Sequence, residues 1–281
     1  MIDLHTHTTA SDGTDSPAAL VNKALSAGIT TLAITDHDST SGWNEAITAL
    51  RSPLSLVLGA EISTLTLDGI SVHILGLLFD GEDISMQNML AESRDTRIPR
   101  MRKMIDLLAA DGINISLEDV MAATPVGATL GRPHLADALV RNKVVATRDE
   151  AFLELLSNSS KYYVTHAAPT PEAAIRQINQ AGGVAVIAHP FATRRGQTLS
   201  AMSFPSLIAA GLNGVEVEHR DHSQEEREQS VLVAHHGPLL LTEHQGDRRR
   251  VGLKGADHDA IHPIEGDRMH AQHVVRQGGF A

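Results

Sequence analysis

Five short apolar runs in this chain carry or end on a histidine or an acid, and that recurrence constrains the fold more than any other feature. Residues 1–8 read as a strand containing His5 and His7, and residues 30–35 run into Asp36-His37-Asp38. Residues 54–63 hold Glu61 behind Val57-Leu58-Gly59-Ala60, residues 70–79 carry His73, and residues 184–188 lead into His189-Pro190. Helix signals lie between the runs. Ser16 can cap a helix with Pro17 in its first position, and Gly28 stops it. The strand–helix–strand unit so formed has the size of a βαβ crossover, about 30 residues. In parallel α/β barrels the strand ends and the loops after them form the functional face, so polar residues at successive strand ends are expected to meet there.

From about residue 83 to 160 the pattern turns helical. Residues 86–111 form a long amphipathic stretch that Pro99 should kink or break. Ser116 with Glu118 and Asp119 opens a second helix, residues 133–142 a third and residues 147–158 a fourth. Alternation then resumes. A helix from Thr170-Pro171 to Gly182-Gly183 precedes the strand 184–189, and helices over 201–210 and 223–235 flank strands over 214–218 and 239–242. The expected organisation is a barrel made of residues 1–82 and 161–242, a helical insert over 83–160, and an atypical tail over 243–281. That tail contains Arg248-Arg249-Arg250 and lacks the period of a strand or a packed helix, and disorder is one reading of it.

Composition narrows the chemistry. The chain has 16 histidines and no cysteine, which excludes disulfides, thiol nucleophiles and thiolate-held metals and leaves a nitrogen- and oxygen-ligated metal site as the first expectation. A net charge of −11 and eight aromatic residues (five Phe, two Tyr, one Trp) argue against a grip on long nucleic acid. No run approaches the roughly 20 apolar residues of a membrane span, and the N-terminal MIDLHTHT has no signal-peptide apolar region. A cytoplasmic protein without a membrane partner is expected, and oligomeric state is not readable.

In a strand, His5 and His7 share one face while Ile2, Leu4 and Thr6 take the other. Asp12 follows in the polar loop 8–14. A Glu at the end of an apolar run, as Glu61 is, is costly to bury unless it is paired or bound to metal, and no basic residue lies near it in sequence. Gly131-Arg132-Pro133-His134 starts a helix, where Arg132 can either fork onto a phosphate or stand solvated. Lys161, Arg194 and Arg195 are further sources of positive charge. Glu216, Glu218 and His219 read as a strand edge with satisfied polar partners.

With these residues in hand, the chain resembles the polymerase-and-histidinol-phosphatase (PHP) superfamily of metal-dependent phosphoesterases. The matching segments are His5-Thr6-His7 with Ser11-Asp12-Gly13, Thr35-Asp36-His37-Asp38, Gly59-Ala60-Glu61, His73 and Ala188-His189-Pro190. Gly131–His134 and Gly182-Gly183-Val184-Ala185-Val186 are similar to the small nucleotide-phosphatase branch. The resemblance spans about residues 1–242. It implies an α/β fold, a distorted (β/α)7 barrel with a helical insert, holding three divalent ions (manganese, iron or zinc). By the same resemblance His5 and His7 hold one ion, Glu61 bridges it to a second shared with His73, and Asp12 and His37 hold a third, with His189 in the same cluster. Arg132 and His134 would contact the substrate phosphate; apart from the resemblance, His134 is the candidate general acid for the leaving group. The family pattern closes with an Asp-x-His pair after the last strand; here residues 239–242 are followed by Glu243-His244-Gln245-Gly246-Asp247. The tail is therefore read as foreign to the family, as a shifted reading frame would make it. His244, Asp247, Asp257, His258 and Asp259 are its candidate replacement ligands.

The function expected is hydrolysis of phosphate monoesters of small nucleotides by a metal-bound hydroxide, with 3′,5′-nucleoside bisphosphates first. A 5′–3′ exonuclease on short oligonucleotides, or a metal- and nucleotide-binding protein impaired by its altered C-terminus, are the alternatives.

Overall fold

A computed structural model describes residues 1–165, 167–235 and 239–242; the tail from Glu243, with its candidate ligands, lies outside the described residues. Seven strands make one sheet in chain order: β1 (Ile2–Asp3), β2 (Thr31–Ile34), β3 (Ser55–Leu65), β4 (Ser71–Leu77), β5 (Val184–Ala188), β6 (Gly214–Glu216) and β7 (Leu240–Thr242). Pairing is parallel except on the two sides of β4, which runs antiparallel to β3 and to β5. The β3–β4 hairpin is the distortion: Asp68-Gly69 makes its turn, with Gly69 at φ +87°.

The two faces of the curled sheet are covered differently. Leu32 and Ile34 pack outward on α1 (Pro17–Ser26) and α2 (Trp43–Ala49). Ile74, Ala185, Ile187 and Val215 pack outward with α8 (Pro171–Gln180) and α9 (Phe204–Ala209). The alternate residues Ala33, Leu75, Leu77, Val186 and Ala188 fill a smaller inner cluster. This period of two decides which side chains can reach the centre.

Local signals act as their chemistry requires. The Ser16 side chain accepts from the Ala19 N–H and Pro17 opens α1, while Gly28, at φ +74°, follows its end. The long stretch around Pro99 divides into α3 (Ile84–Asp95) and α4 (Arg97–Ala110). Proline has no N–H for the carbonyl four residues back, which is Asp95, the last residue of α3. Ser116 and Asp119 form a capping box on α5 (Leu117–Ala123), and α6 (Arg132–Arg141) follows.

Several expected elements are shorter or different, among them the helix over 201–210, which is a 3-10 turn (Ala201–Ser203) leading into α9. β1 stops at Asp3 rather than Thr8, because side-chain oxygens replace the ladder: Thr6 N–H donates to Thr35 Oγ1 at 3.0 Å and the Thr6 hydroxyl donates to the Ala33 carbonyl. The ladder is irregular here, keeping only the Thr35 N–H to Thr6 carbonyl bond at 3.0 Å among backbone bonds to Thr6, and Leu4 packs in the inner cluster although its neighbour His5 also turns inward, so the strict alternation expected there fails. The helix expected over 147–158 is a four-residue α7 (Arg148–Ala151) continued by a π-turn (Phe152–Leu156), whose Leu156 carbonyl accepts from Arg132 Nη1 at 2.7 Å. β6 ends at Glu216, not Glu218.

The helices α4 to α7 and the π-turn carry their own apolar cluster, including Met104, Leu108, Leu135, Leu139 and Leu156. One buried ion pair links this region to the sheet. Arg97, 7% exposed, forks onto Asp38 (Nε to Oδ2 3.2 Å) and also donates to Ser63 Oγ at 2.8 Å and the Leu130 carbonyl at 2.8 Å. Asp38 also accepts from the Ser63 N–H at 2.8 Å, and Arg97 holds its carboxyl below the usual range against the effect of burial. Replacing Arg97 by Met leaves that carboxylate buried and unpaired, and is expected to cost about 3–5 kcal/mol. Urea unfolding of R97M beside the double variant D38N/R97M checks this, the double variant recovering most of the loss.

Candidate metal centre

Glu61 is the hub. Its neighbours Ala60 and Ile62 belong to the outer cluster, so alternation points Glu61 inward, where its side chain is 1% exposed. Five imidazoles close on its two oxygens. His73 Nδ1 and His189 Nε2 lie 2.8 and 3.0 Å from Oε1. His7 Nε2, His37 Nδ1 and His5 Nε2 lie 3.1, 3.1 and 3.4 Å from Oε2. Among the described residues no Lys or Arg pairs with it.

Each histidine arrives by a separate device. His73 faces inward because Val72 and Ile74 face out. His37 stands between two acids that hold the backbone: Asp36 accepts from the Thr8 N–H (2.7 Å), the Thr8 hydroxyl (2.7 Å) and the Ser11 hydroxyl (2.6 Å), and Asp38 takes Arg97. The same bonds tie down the loop that carries Asp12, whose oxygens sit 3.4 Å from His7 Nδ1 and 3.6 Å from His37 Nε2. Gly13 closes that loop so tightly that a Cβ there would lie 2.3 Å from the His7 carbonyl oxygen. The sequence-predicted set His5, His7, Asp12, His37, Glu61, His73 and His189 thus comes together in one place.

The donor set fits divalent ions. Glu61 Oε2 and His37 Nδ1 are buried without a hydrogen-bond partner although they lie 3.1 Å apart, the relation of two lone pairs aimed at a common point. His5 Nε2 and His7 Nε2 are 3.2 Å apart, near the roughly 3.4 Å separating two nitrogens on one tetrahedral zinc. Three groupings, His5/His7/Glu61, His7/Asp12/His37 and His37/Glu61/His73, each bring their ligand atoms within 4.8 Å of one another.

Protonation follows the carboxylates. Burial alone would lower His5 and His7, but Glu216 and Glu61 more than reverse this at His5, which stands well above the usual value, and Asp12 and Glu61 do so at His7. His37 is driven down to about 3 by burial, with His7 and His73 adding to it. His189 falls well below its ordinary value through burial and the nearby Arg195. Glu61 is held well below the carboxylate range, against burial, by His37, His73 and His5. His37 and His189 are thereby neutral imidazoles beside an ionised carboxylate, the metal-ready state, whereas His5 and His7 release a proton when an ion binds.

Two residues read as a strand edge belong to this cluster. Glu216 is 3% exposed and accepts from His5 Nδ1 at 3.1 Å, and the His219 ring lies 5.0 Å from that of His189. Only Glu218 behaves as expected, pairing with Arg227 at 3.1 Å. The argument from burial applied to Glu61 would have found Glu216, which also ends an apolar strand.

Beside His73 and His189 a pocket opens, lined also by Arg132, Asn158, Arg195 and Thr198. Arg132 donates to the Leu156 carbonyl and, at 2.6 Å, to Asn158 Oδ1, both through Nη1. Burial and the surrounding Arg100, Arg195 and Arg97 lower its pKa to about 10. His134 does not line this pocket: it is 2% exposed, and its Nδ1 accepts from the Gly131 N–H at 3.0 Å as a cap of α6. Lys161 is exposed and paired with Asp111, and Arg194 is exposed; of the three extra cations only Arg195 reaches the pocket wall.

The PHP domain model matches residues 3–91. A 3′,5′-nucleoside bisphosphate phosphatase of Chromobacterium violaceum is 34% identical over 83% of this chain and 82% of its own length. The chain belongs to the PHP family. A 5′-3′ exoribonuclease of Escherichia coli is 35% identical over 83% of this chain and 81% of that protein. A solved structure described as a metal-dependent phosphoesterase, from Bifidobacterium adolescentis, superposes with a TM-score of 0.81 at 40% identity, covering 86% of this chain and 85% of that one. This PHP chain is accordingly a metal-dependent phosphoric ester hydrolase with the curled α/β sheet of its relatives, and among its described residues no helix is long and apolar enough to cross a membrane.

Metal removal should be visible in stability. An ion that binds only the folded chain adds about 2.7 kcal/mol when its free concentration is 100 times Kd. Chelation should therefore lower the melting temperature by several degrees, and Glu61→Gln should abolish most of that metal-dependent shift in a thermal melt.

Proposed function

We propose that this PHP chain removes phosphate from small nucleotides, with 3′,5′-nucleoside bisphosphates as the first substrate class. The observation that carries the reading is the half-buried guanidinium of Arg132, without a carboxylate partner among the described residues, in a pocket whose wall includes His73 and His189. A phosphate monoester is the anion that suits both a forked cation and a divalent-metal centre. The similarity to the bisphosphate phosphatase supports the nucleotide assignment.

In this proposal His5, His7, Asp12, His37, Glu61, His73 and His189 hold three divalent ions, manganese, iron or zinc. Such ions, when bound, polarise a phosphoryl group and lower the pKa of a bound water. The rest is the work of the chain. Arg132 keeps Nε and Nη2 free of the bonds made by Nη1, and these donors orient the phosphate and neutralise its non-bridging oxygens, where preorganised charge contributes most. Arg195, 3.5 Å from Asp221 and on the same wall, adds a second positive charge for an anionic substituent of the nucleotide. The Leu156 carbonyl at the end of the π-turn and Asn158 hold Nη1, and Pro190, Ala192 and Thr198 line the same pocket. His134 supports from behind, holding the start of α6 so that Arg132 at its first position faces the pocket.

The identity to exoribonucleases gives a second reading, stepwise hydrolysis of short oligonucleotides from the 5′ end. The decisive assay is phosphate release from adenosine 3′,5′-bisphosphate by metal-stripped protein, with and without manganese, beside 5′-phosphorylated dinucleotides. Manganese-dependent release from the bisphosphate that disappears in His37→Ala supports the proposal. Turnover of the dinucleotide alone favours the exonuclease, and metal binding without turnover of either sinks both in favour of a binding protein. Arg132→Ala is expected to lower kcat/KM on the order of 100-fold without changing bound metal, measured by steady-state kinetics and metal analysis.

A further inference from the structure

Glu216 ends β6 with its side chain 4% exposed, and each of its oxygens serves a different candidate ligand. Oε1 accepts from His5 Nδ1 at 3.1 Å, and Oε2 accepts from the His189 backbone N–H at 2.7 Å. These two histidines are 184 positions apart in the chain and meet at the same Glu61 carboxylate.

The first bond sets a tautomer. An ionised carboxylate only accepts, so the imidazole facing it carries a proton on Nδ1, and the neutral, ion-binding form of the ring has its lone pair on Nε2, which faces His7 Nε2, 3.2 Å away, and Glu61. The second bond sets a backbone. Along β5, Ala185 and Ile187 face the helices while Val186 and Ala188 face inward. Plain alternation would send His189 outward. Its φ of +31° breaks the alternation and turns the ring toward Glu61. That conformation is strained for a residue with a Cβ and persists only where surrounding contacts impose it. The Glu216 oxygen on its N–H is such a contact.

We propose that Glu216 is the positioning residue of the metal centre, a single buried carboxylate that fixes the His5 tautomer and the bent His189 backbone so that both imidazoles turn Nε2 toward Glu61, one to each of its oxygens. The proposal rests on the reading of the cluster as a divalent-metal centre, not on the choice of substrate. A competing geometry exists: His5, Glu216 and His219 also bring ligand atoms within 4.8 Å of one another. An ion held there by His5 Nδ1 would take the place of the proton and turn Glu216 into a ligand. The hydrogen-bond geometry at Nδ1 and the second bond from His189 favour positioning.

The test uses the zinc-loaded full chain. Long-range proton–nitrogen NMR on histidine-labelled wild-type protein should show His5 protonated at Nδ1 and bound to zinc at Nε2; zinc on Nδ1 overturns the proposal. Glu216→Gln keeps the size of the side chain but has one acceptor oxygen for two donors. It should weaken zinc about 10- to 100-fold in competition with a chelating dye, with the metal-free melting temperature little changed. An affinity within about threefold of wild type, at a level where loss of an orienting partner would show, overturns it. If Glu216→Gln does not fold, the wild-type NMR still decides. A wild-type chain that binds no zinc, manganese or iron at all would overturn the metal-centre reading itself, a result distinct from a variant that binds as well as wild type.

Discussion

One carboxylate governs this structure. Glu61 sits almost wholly out of water with five imidazole nitrogens within 3.4 Å of its oxygens and no lysine or arginine paired with it among the described residues. An isolated buried carboxylate is too expensive to keep ionised, and histidine is the one side chain that can compensate it either as a cation or, when neutral, by sharing a metal. Its position follows from the period of two along β3. The antiparallel hairpin then brings His73 beside it from β4, and the parallel neighbour supplies His37 through an isolated bridge to Glu61.

Around that hub the acids divide into two kinds. Asp36 and Asp38, which flank His37, are spent on structure: one gathers the Thr8–Ser11 loop, and the other receives Arg97 from the helical region. Asp12 and Glu216 face the imidazoles themselves. The consequence is a centre whose ligand directions are set by groups one bond further out, which is how metal sites gain rigidity. The arginines show the same separation of local from global charge. The chain carries −11 overall, yet Arg132 lies among Arg97, Arg100 and Arg195, and it is the local field that an anionic ester meets.

Signals confined to a few residues were legible beforehand. The Ser16 cap, the Ser116–Asp119 box, the break before Pro99 and the turn at Asp68-Gly69 act through neighbours in the chain, and they appear where the residue types place them. The seven residues expected to ligate metal converge because six of them lie on or beside apolar runs that become neighbouring strands, and Asp12 lies in the polar loop after the first. Glu216 and His219 were misread because a short strand bounded by glycine and by charged residues looks like an edge. Its burial comes from β5 and β7 on either side, which no local window contains. His134 and Arg132 flank one proline, yet one ring caps a helix while the other side chain reaches the pocket; at 3.6 residues per turn, positions two apart on a helix point about 200° apart.

The sequence by itself determined the alternation of strands and helices, the nitrogen–oxygen donor chemistry of a cysteine-free chain, and the membership of His5, His7, Asp12, His37, Glu61, His73 and His189 in one constellation. Those follow from residue type and period, which are properties of the chain read in order. Only the tertiary structure decided that β4 runs against its neighbours, that a strained backbone turns His189 inward, and that Glu216 reaches both it and His5. Each of these depends on where distant strands are registered against one another, and register is set by packing on both faces of the sheet rather than by any stretch of sequence alone.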